Sequence, residues 1–531
     1  MKMKELKPLV FEELTMEQKI ALTICATPVI GDKEIEPLLE MAKKRMLGSV
    51  YTSRPEWIAK IQEVADYPIM FVGLPSNPDI KIPQLIAITA AGGKEEYAYS
   101  YGKMVAFESR KLGINANNEM VVDMPIRGNA PLGTTVRGFS GDVETTSRLA
   151  VAMARGLRDG GVLNIPKHYP GTNDSPVDTH MREGYIKGDK EELLRARAVP
   201  YLEMMKAGVM DGIMPGHSVM PEIDPEKPAS LSRPVLNVLR EVGFDGFYLS
   251  DALAMMGIVL KYGKLEPAAV ALGAGDDFPL PWDVPTPAVY ENMLDAFKRG
   301  VFTEDDVNNA VRRLIEAQHK IIEGSKIPIE IDEADLENIR KINEDCIYEK
   351  CEEGISPSIS REGRHFFALM VEESQKLCLD EENIPGSKDW YKPVNVAKKI
   401  MELFPNSIVK TVTEYPHHDN TRLILEGQTE YDDVIFITFQ KTLAYIGREY
   451  LSHRIVDLMD ALQSTDRIVA HLHIGNPYVG ACAPYTPRYI NAYCSEKSIE
   501  YALEILAGLR EAHGIMPYDD IDFKKKGHVF Y

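Results

Sequence analysis

The chain has 531 residues, 44% hydrophobic and 26% charged, with a formal charge of -20, a composition that fits a soluble globular protein and excludes collagen-like, coiled-coil and disordered classes. Such a length exceeds what one core usually organises, so two domains of roughly 200 to 300 residues are expected. The acidic balance argues against a nucleic-acid partner, because gripping a phosphate backbone takes clustered Lys and Arg.

The opening stretch "MKMKELKPLVFEELTMEQKIA" interrupts its apolar residues with Glu and lacks the continuous apolar segment of a signal peptide. No run approaches the ~18 apolar residues of a membrane helix, so a cytoplasmic protein without a membrane partner is expected. Its six cysteines include no CxxC pair, which suits reduced thiols rather than disulfides or a zinc-thiolate site.

Along the chain, the short apolar runs "LGSVYT", "QLIAIT", "EMVVDM", "GVLNIP", "DGIMPG" and "DGFYLS" read as strands. They alternate with the helical patterns "EEYAYSYGKMVAFESRKLG" and "ETTSRLAVAMARGLRDGG". Such βα repetition predicts a parallel sheet, and over roughly 300 residues a TIM-type (β/α) barrel is its economical closure. The segment "TEDDVNNAVRRLIEAQHKII" predicts a last long helix, capped by Thr303 with acidic residues in its first turn. A charged, irregular stretch follows, and the boundaries expected are a barrel over 1–325, a linker over 326–360 and a smaller domain over 361–531. In the last part "SIVKTV", "DVIFITF" and "RIVAHLHIG" alternate with "HRIVDLMDALQ" and "SIEYALEILAGLREAHG", the spacing of an α/β/α sandwich. Nothing in the pattern assigns an oligomeric state.

Parallel α/β folds gather their chemistry where strands end. "GVLNIPKHYPG" exits a strand at Lys167-His168, and "DGFYLSDALAM" exits one at Ser250-Asp251. By residue type alone Asp251 reads as a helix N-cap, Asp178 as an Asx-turn residue and His180 as a solvated loop histidine. A metal reading of His168, Asp174, Asp178 and His180 fails on spacing, which follows no helical i, i+4 pattern and has no cysteine complement. No metal and no other cofactor is expected.

Three stretches carry a resemblance. "KHYPGTNDSPVDTH" (167–180), "GIMPGHSVMPEIDPEKPASLSRPVLNVLREVGFDGFYLSDALAMMGI" (212–258) and "GINANNEMVVDMPIRGNAPLGTTVRGFSGD" (113–142) resemble, in register, the family 3 glycoside hydrolases, in their β-N-acetylhexosaminidase branch. The resemblance implies a retaining exo-β-glycosidase, most simply a β-N-acetylglucosaminidase, with a saccharide as its partner. It implies Asp251 as the nucleophile, forming a covalent glycosyl-enzyme intermediate, and the Asp178-His180 pair as acid/base dyad. It also implies sugar contacts from Lys167, His168 and Arg137, while His217 reads as support within the barrel mouth. A carboxylate two residues before an imidazole can turn back to accept its second ring proton and so fix its tautomer. The family pattern is broken at Thr89, where relatives carry an aspartate that grips sugar hydroxyls, and at Thr172, where they carry histidine. These departures leave two alternatives: a phosphorolytic β-glycosidase of the same family, and a non-catalytic sugar-binding descendant.

Overall fold

The computed structural model describes residues 6–27, 35–75, 82, 84–124, 137–171, 175, 177–354, 359–371, 393–440, 450–518 and 521–525. Packing divides the chain into two compact units: Met1–Pro75, Glu95–Thr134 and Gly141–Leu336 form the first, and Ser76–Lys94, Thr135–Ser140 and Glu337–Tyr531 the second.

In the first unit β1 (Cys25–Ala26), β2 (Ser49–Tyr51), β3 (Met70–Gly73), β4 (Ala116–Asn117) and β5 (Leu163–Asn164) form a five-stranded sheet in that order, parallel throughout. After Ile165 and Pro166 the chain continues as β6 (Lys167–Tyr169), so β5 and β6 are two parts of one interrupted strand. A short β7 (Gly184–Tyr185) precedes β8 (Gly212–Pro215), β9 (Ser218–Met220), β10 (Asp224–Pro228), β11 (Phe247–Ala252) and β12 (Phe278–Leu280). Strands β6, β8, β11 and β12 make the second parallel arc. Thr27, just past β1, donates its hydroxyl to the carbonyl of Trp282, just past β12, which brings the two arcs together on that side. The result is a TIM-type barrel.

Its interior is apolar: Val50, Val72, Ile114, Ile165, Leu249 and Phe278 are wholly buried. Outside it, helices Glu95–Leu112 and Val143–Asp159 pack backbone to backbone through Gly102 and Gly156. A Cβ on Gly102 would lie 2.2 Å from the Met153 carbonyl, and one on Gly156 2.2 Å from that of Tyr99. The helix Glu304–Lys326 begins as expected at Thr303, in a capping box: the Asp306 N–H donates to Thr303 Oγ1 (3.2 Å) and the Thr303 N–H to Asp306 Oδ2 (2.8 Å).

The second unit holds a six-stranded sheet in the order β13-β18-β17-β16-β14-β15. These are β13 (Tyr348–Cys351), β14 (His365–Val371), β15 (Ile408–Thr413), β16 (Asp433–Gln440), β17 (Ile468–Gly475) and β18 (Arg488–Ala492). All pairs are parallel except β13 with β18. The central strands are buried along all but one residue each, as "DVIFITF" requires of a sheet covered by helices on both faces. Helices Pro393–Leu403, His418–Gly427, His453–Gln463 and Glu496–Leu506 complete an α/β/α sandwich.

Three local expectations differ. "QLIAIT" is not a strand but the start of the helix Ile86–Ala90, buried on all sides. "EMVVDM" makes only a bridge, Val121 to Lys167, while the strand proper lies earlier, at β4. The stretch 326–360 carries helix Glu333–Asp345 and strand β13, the latter paired with β18, so the sandwich sheet draws on residues before 361.

Candidate active site

Asp251 sits in β11 itself, so it is not the N-cap its residue type suggested; Met255 occupies that position for helix Met256–Tyr262. The strand is held there by its neighbour: Ser250 Oγ accepts the Leu280 N–H (2.8 Å) where the β11–β12 register shifts. Asp251 Oδ1 accepts the N–H of Ala252 (2.8 Å), and 22% of the side chain stays open to solvent. Burial pushes its pKa up, but the neighbouring His168, His217, Lys167 and the Ala252 N–H more than reverse this and hold it at about 2.

His168 and Lys167 lie on β6, each 6% exposed, with cis peptides at Lys167–His168 and Tyr169–Pro170. His168 Nε2 faces Asp251 Oδ2 at 3.9 Å. Its other nitrogen, Nδ1, donates to Asp123 Oδ2 (2.8 Å), and its backbone N–H to Asp123 Oδ1 (3.1 Å). Asp123 is 2% exposed and fixes both the ring's tautomer and its direction. Sequence reasoning missed it as a site residue. Its only signal was an acidic residue closing the apolar run "EMVVD" where a barrel strand would end.

The Asp178-His180 pair turns back on itself as expected. His180 donates from Nδ1 (2.7 Å) and from its backbone N–H (2.9 Å) to the same Asp178 Oδ1. The loop is pinned to the segment after β11: His180 O accepts the Met256 N–H (3.2 Å) and Thr179 O the Gly257 N–H (3.1 Å). Gly257 permits this approach, since a Cβ there would lie 2.9 Å from Thr179 O and 3.1 Å from Arg182 O. The histidine is thereby tied to residues five and six positions beyond Asp251.

His217 lies between these groups. It follows β8, is 1% exposed, donates from Nε2 to the carbonyl of Ala252 (2.9 Å) and accepts at Nδ1 from Ser230 Oγ (2.8 Å). Burial lowers its pKa, more than offsetting the opposite pull of the Asp251 carboxylate. The imidazole here holds the β11 end in place through the Ala252 carbonyl. A cavity of about 350 Å³ adjoins Asp123, lined also by Pro170, Gly171, Arg195, Arg197 and Tyr201.

Arg137 is half-buried and, like Thr89, belongs to the second unit, where Thr89 Oγ1 donates to the carbonyl of Phe139 (2.7 Å). A threonine here is thus already engaged by backbone. Thr172 and Asp174 lie outside the described residues. Among the described residues no group of three His, Cys, Asp or Glu side chains is arranged to hold a metal.

The electrostatics of Asp251 give a stability test. Its folded value, about 2, lies below the ordinary 3.8, so the stabilisation is complete above about pH 4 and is lost as the pH falls toward 2, a change of about 2 kcal/mol. Urea unfolding of wild type and Asp251→Asn is expected to show the wild type losing that much relative to the variant over this window. A difference that stays constant with pH would mean that the carboxylate is not held ionised by its neighbours.

The model of the Glycosyl hydrolase family 3 N terminal domain matches residues 78–317. The chain is 33% identical over 203 residues to a beta-hexosaminidase of Pseudomonas aeruginosa (strain LESB58), covering 38% of this chain and 60% of that protein. It is 33% identical over 218 residues to beta-hexosaminidase LpqI of Mycobacterium tuberculosis, covering 39% and 55% respectively. The aligned part thus spans little more than half the length of these relatives. Among solved structures, the fold is similar to that of a glycoside hydrolase family 3 beta-N-acetylglucosaminidase from Paenibacillus sp. str. FPU-7, with a TM-score of 0.79 and 21% identity over 96% of this chain and 99% of that one. It is equally similar to beta-glucoside phosphorylase BglX bound to 2FGlc, with a TM-score of 0.79 and 19% identity over 96% and 95%.

Proposed function

From a chain that belongs to glycosyl hydrolase family 3 through its N-terminal domain, we propose a retaining exo-β-glycosidase acting on β-N-acetylhexosaminides, N-acetylglucosaminides first. One observation carries the reading: an ionised carboxylate at the end of β11 and an imidazole aimed by its own carboxylate, with their segments hydrogen-bonded together. The beta-hexosaminidase relatives support the substrate class.

In this reading Asp251 attacks the anomeric carbon as the leaving oxygen takes a proton from His180, giving a glycosyl-Asp251 ester and a free aglycone. His180 then removes a proton from water, which attacks the same carbon and releases the sugar with its configuration retained. Asp178 steadies the ring through both steps. Lys167 and His168 bind sugar hydroxyls or the acetamido group, His168 being oriented by Asp123. Neither step needs a metal or a cofactor. A cytoplasmic location is part of this proposal: five cysteines are free thiols, which suits a reducing compartment, and among the described residues no helix is long and apolar enough to cross a membrane.

The test is a panel of aryl β-glycosides of N-acetylglucosamine, N-acetylgalactosamine, glucose and xylose, with the first product anomer read by NMR. Preferred turnover of N-acetylglucosaminide with the β-anomer formed first is expected. Preference for glucoside would overturn the substrate, and an α-anomer first would overturn the mechanism.

A second reading replaces water by phosphate. Arg195 and Arg197 line the cavity beside Asp123, and guanidinium forks match phosphate oxygens. A His-Asp dyad also repels an incoming anion less than a carboxylate base does. Turnover that rises with added phosphate and yields a sugar 1-phosphate would establish it, and turnover indifferent to phosphate would dismiss it.

A further inference from the structure

Beneath the groups that open onto the barrel mouth lies a layer of side chains with no part in the steps above. Asn118 Nδ2 donates to Tyr51 Oη (3.5 Å) and lies 3.9 Å from Met214 Sδ. Tyr51 ends β2, Asn118 follows β4 and Met214 is on β8. With β5 and β6 taken as one strand, these are the second, fourth and sixth strands of the barrel. Contacts between alternate strands run through the interior, so the three side chains belong to one layer of the barrel filling. Its height relative to Asp251 follows from register. Tyr248 pairs with Ile213, which makes Leu249 level with Met214. Asp251 stands two residues further along the same face of β11, about 6 to 7 Å nearer the mouth.

Trp282 adds a wall to this floor. The strand beside Asp251, β12, ends at Leu280, which pairs with Ala252 and accepts the Leu253 N–H (2.9 Å). Two residues on, Trp282 has a φ of +64°, a conformation that bulky residues rarely adopt. Its carbonyl is held by the Thr27 hydroxyl, and its ring meets that of Tyr51 at 5.3 Å with 62° between the planes. The indole thus reaches past β1 toward β2, on the mouth side of the barrel filling. It is nevertheless 44% exposed, and Tyr51 is half-buried. A single exposed apolar side chain is ordinary. An indole fixed by its backbone, its carbonyl and its ring contact, one strand from an ionised carboxylate, is a built surface. The two rings make an open corner, Tyr51 below the level of Asp251 and Trp282 above it.

A pyranose suits such a corner. Its equatorial hydroxyls point outward, where Lys167, His168 and Asp251 are polar partners, while its C–H groups form an apolar face that hydrogen-bonds to nothing and gains by covering an aromatic ring. We propose that Trp282, with Tyr51 at its foot, is the residue on which the sugar ring seats its C–H face while Asp251 reaches the anomeric carbon. This rests on the glycosidase reading of the mouth, but holds for any sugar cleaved there, because every pyranose carries such a face.

The test uses the full chain. In Trp282→Ala the KM for the preferred aryl β-glycoside should rise about tenfold or more, the scale of one lost ring stack. Its kcat should stay within about threefold of wild type, because the stack is made equally in ground and transition states. Trp282→Phe, which keeps an aromatic face, should recover most of the loss. Acrylamide quenching of tryptophan emission reads the same contact without turnover and with Trp282 intact. Trp57 is 4% exposed, so in a Trp390→Phe background the quenchable emission is that of Trp282, and saturating N-acetylglucosamine should remove most of the quenching. An unchanged KM in Trp282→Ala, a loss confined to kcat, or no protection by N-acetylglucosamine, glucose or xylose would each overturn the proposal. Protection by glucose or xylose but not by N-acetylglucosamine would instead overturn the substrate proposed above and uphold the role of Trp282.

Discussion

Asp251→Asn is expected to remove glycoside turnover while leaving the fold intact, with kcat/KM falling on the order of 10⁴-fold or more, as when one member of a catalytic set is deleted. The substitution is nearly isosteric. An amide oxygen still accepts the Ala252 N–H, and the side chain is 22% open to water, so no large buried group is orphaned. What disappears is the negative charge that His168 and Lys167 hold ionised, and a neutral amide does not form the glycosyl ester. Mass spectrometry supplies the second readout. A 2-deoxy-2-fluoro glycoside with a good leaving group should add one sugar to the wild type and nothing to the variant. Full activity in the variant would remove Asp251 from the mechanism, and absence of labelling in the wild type would favour a non-catalytic sugar-binding protein.

Much of this site is legible in sequence because its parts are local. Asp178 and His180 are two residues apart, close enough to hydrogen-bond by turning once, and Lys167-His168 and Asp251 stand at strand ends that their apolar runs announce. Asp123 was not legible: its partner His168 lies 45 residues away, and an acidic residue ending an apolar run reads as a turn until the barrel brings β6 beside it. "QLIAIT" reads as a strand because four consecutive apolar residues show no decisive period, and only packing settles it as the helix Ile86–Ala90. The strand β18, Arg488–Ala492 in "CAPYTPRYINAY", lies between β13 and β17 although two prolines and a turn-like start hide it in the sequence. Its arginine is 1% exposed, a placement possible only because Glu349 and the carbonyls of Ile505 and Leu506, distant in sequence, satisfy the guanidinium.

The second large effect is expected at His180. In His180→Gln, turnover of a glycoside with a poor leaving group should fall by roughly 10²- to 10⁴-fold, the usual contribution of general acid catalysis. The loss should shrink for a dinitrophenyl glycoside, whose leaving oxygen departs without a proton. Hydrolysis of the glycosyl-enzyme then becomes limiting, because the same histidine activates water. Azide needs no base and should restore the rate, with the β-glycosyl azide as product. Asp178→Asn tests the dyad separately. It keeps an oxygen for the His180 N–H but loses the charge that strengthens the 2.7 Å hydrogen bond, so it should fall between wild type and His180→Gln, with the same leaving-group dependence. An equal loss for good and poor leaving groups would show that His180 acts in binding and that the proton comes from elsewhere.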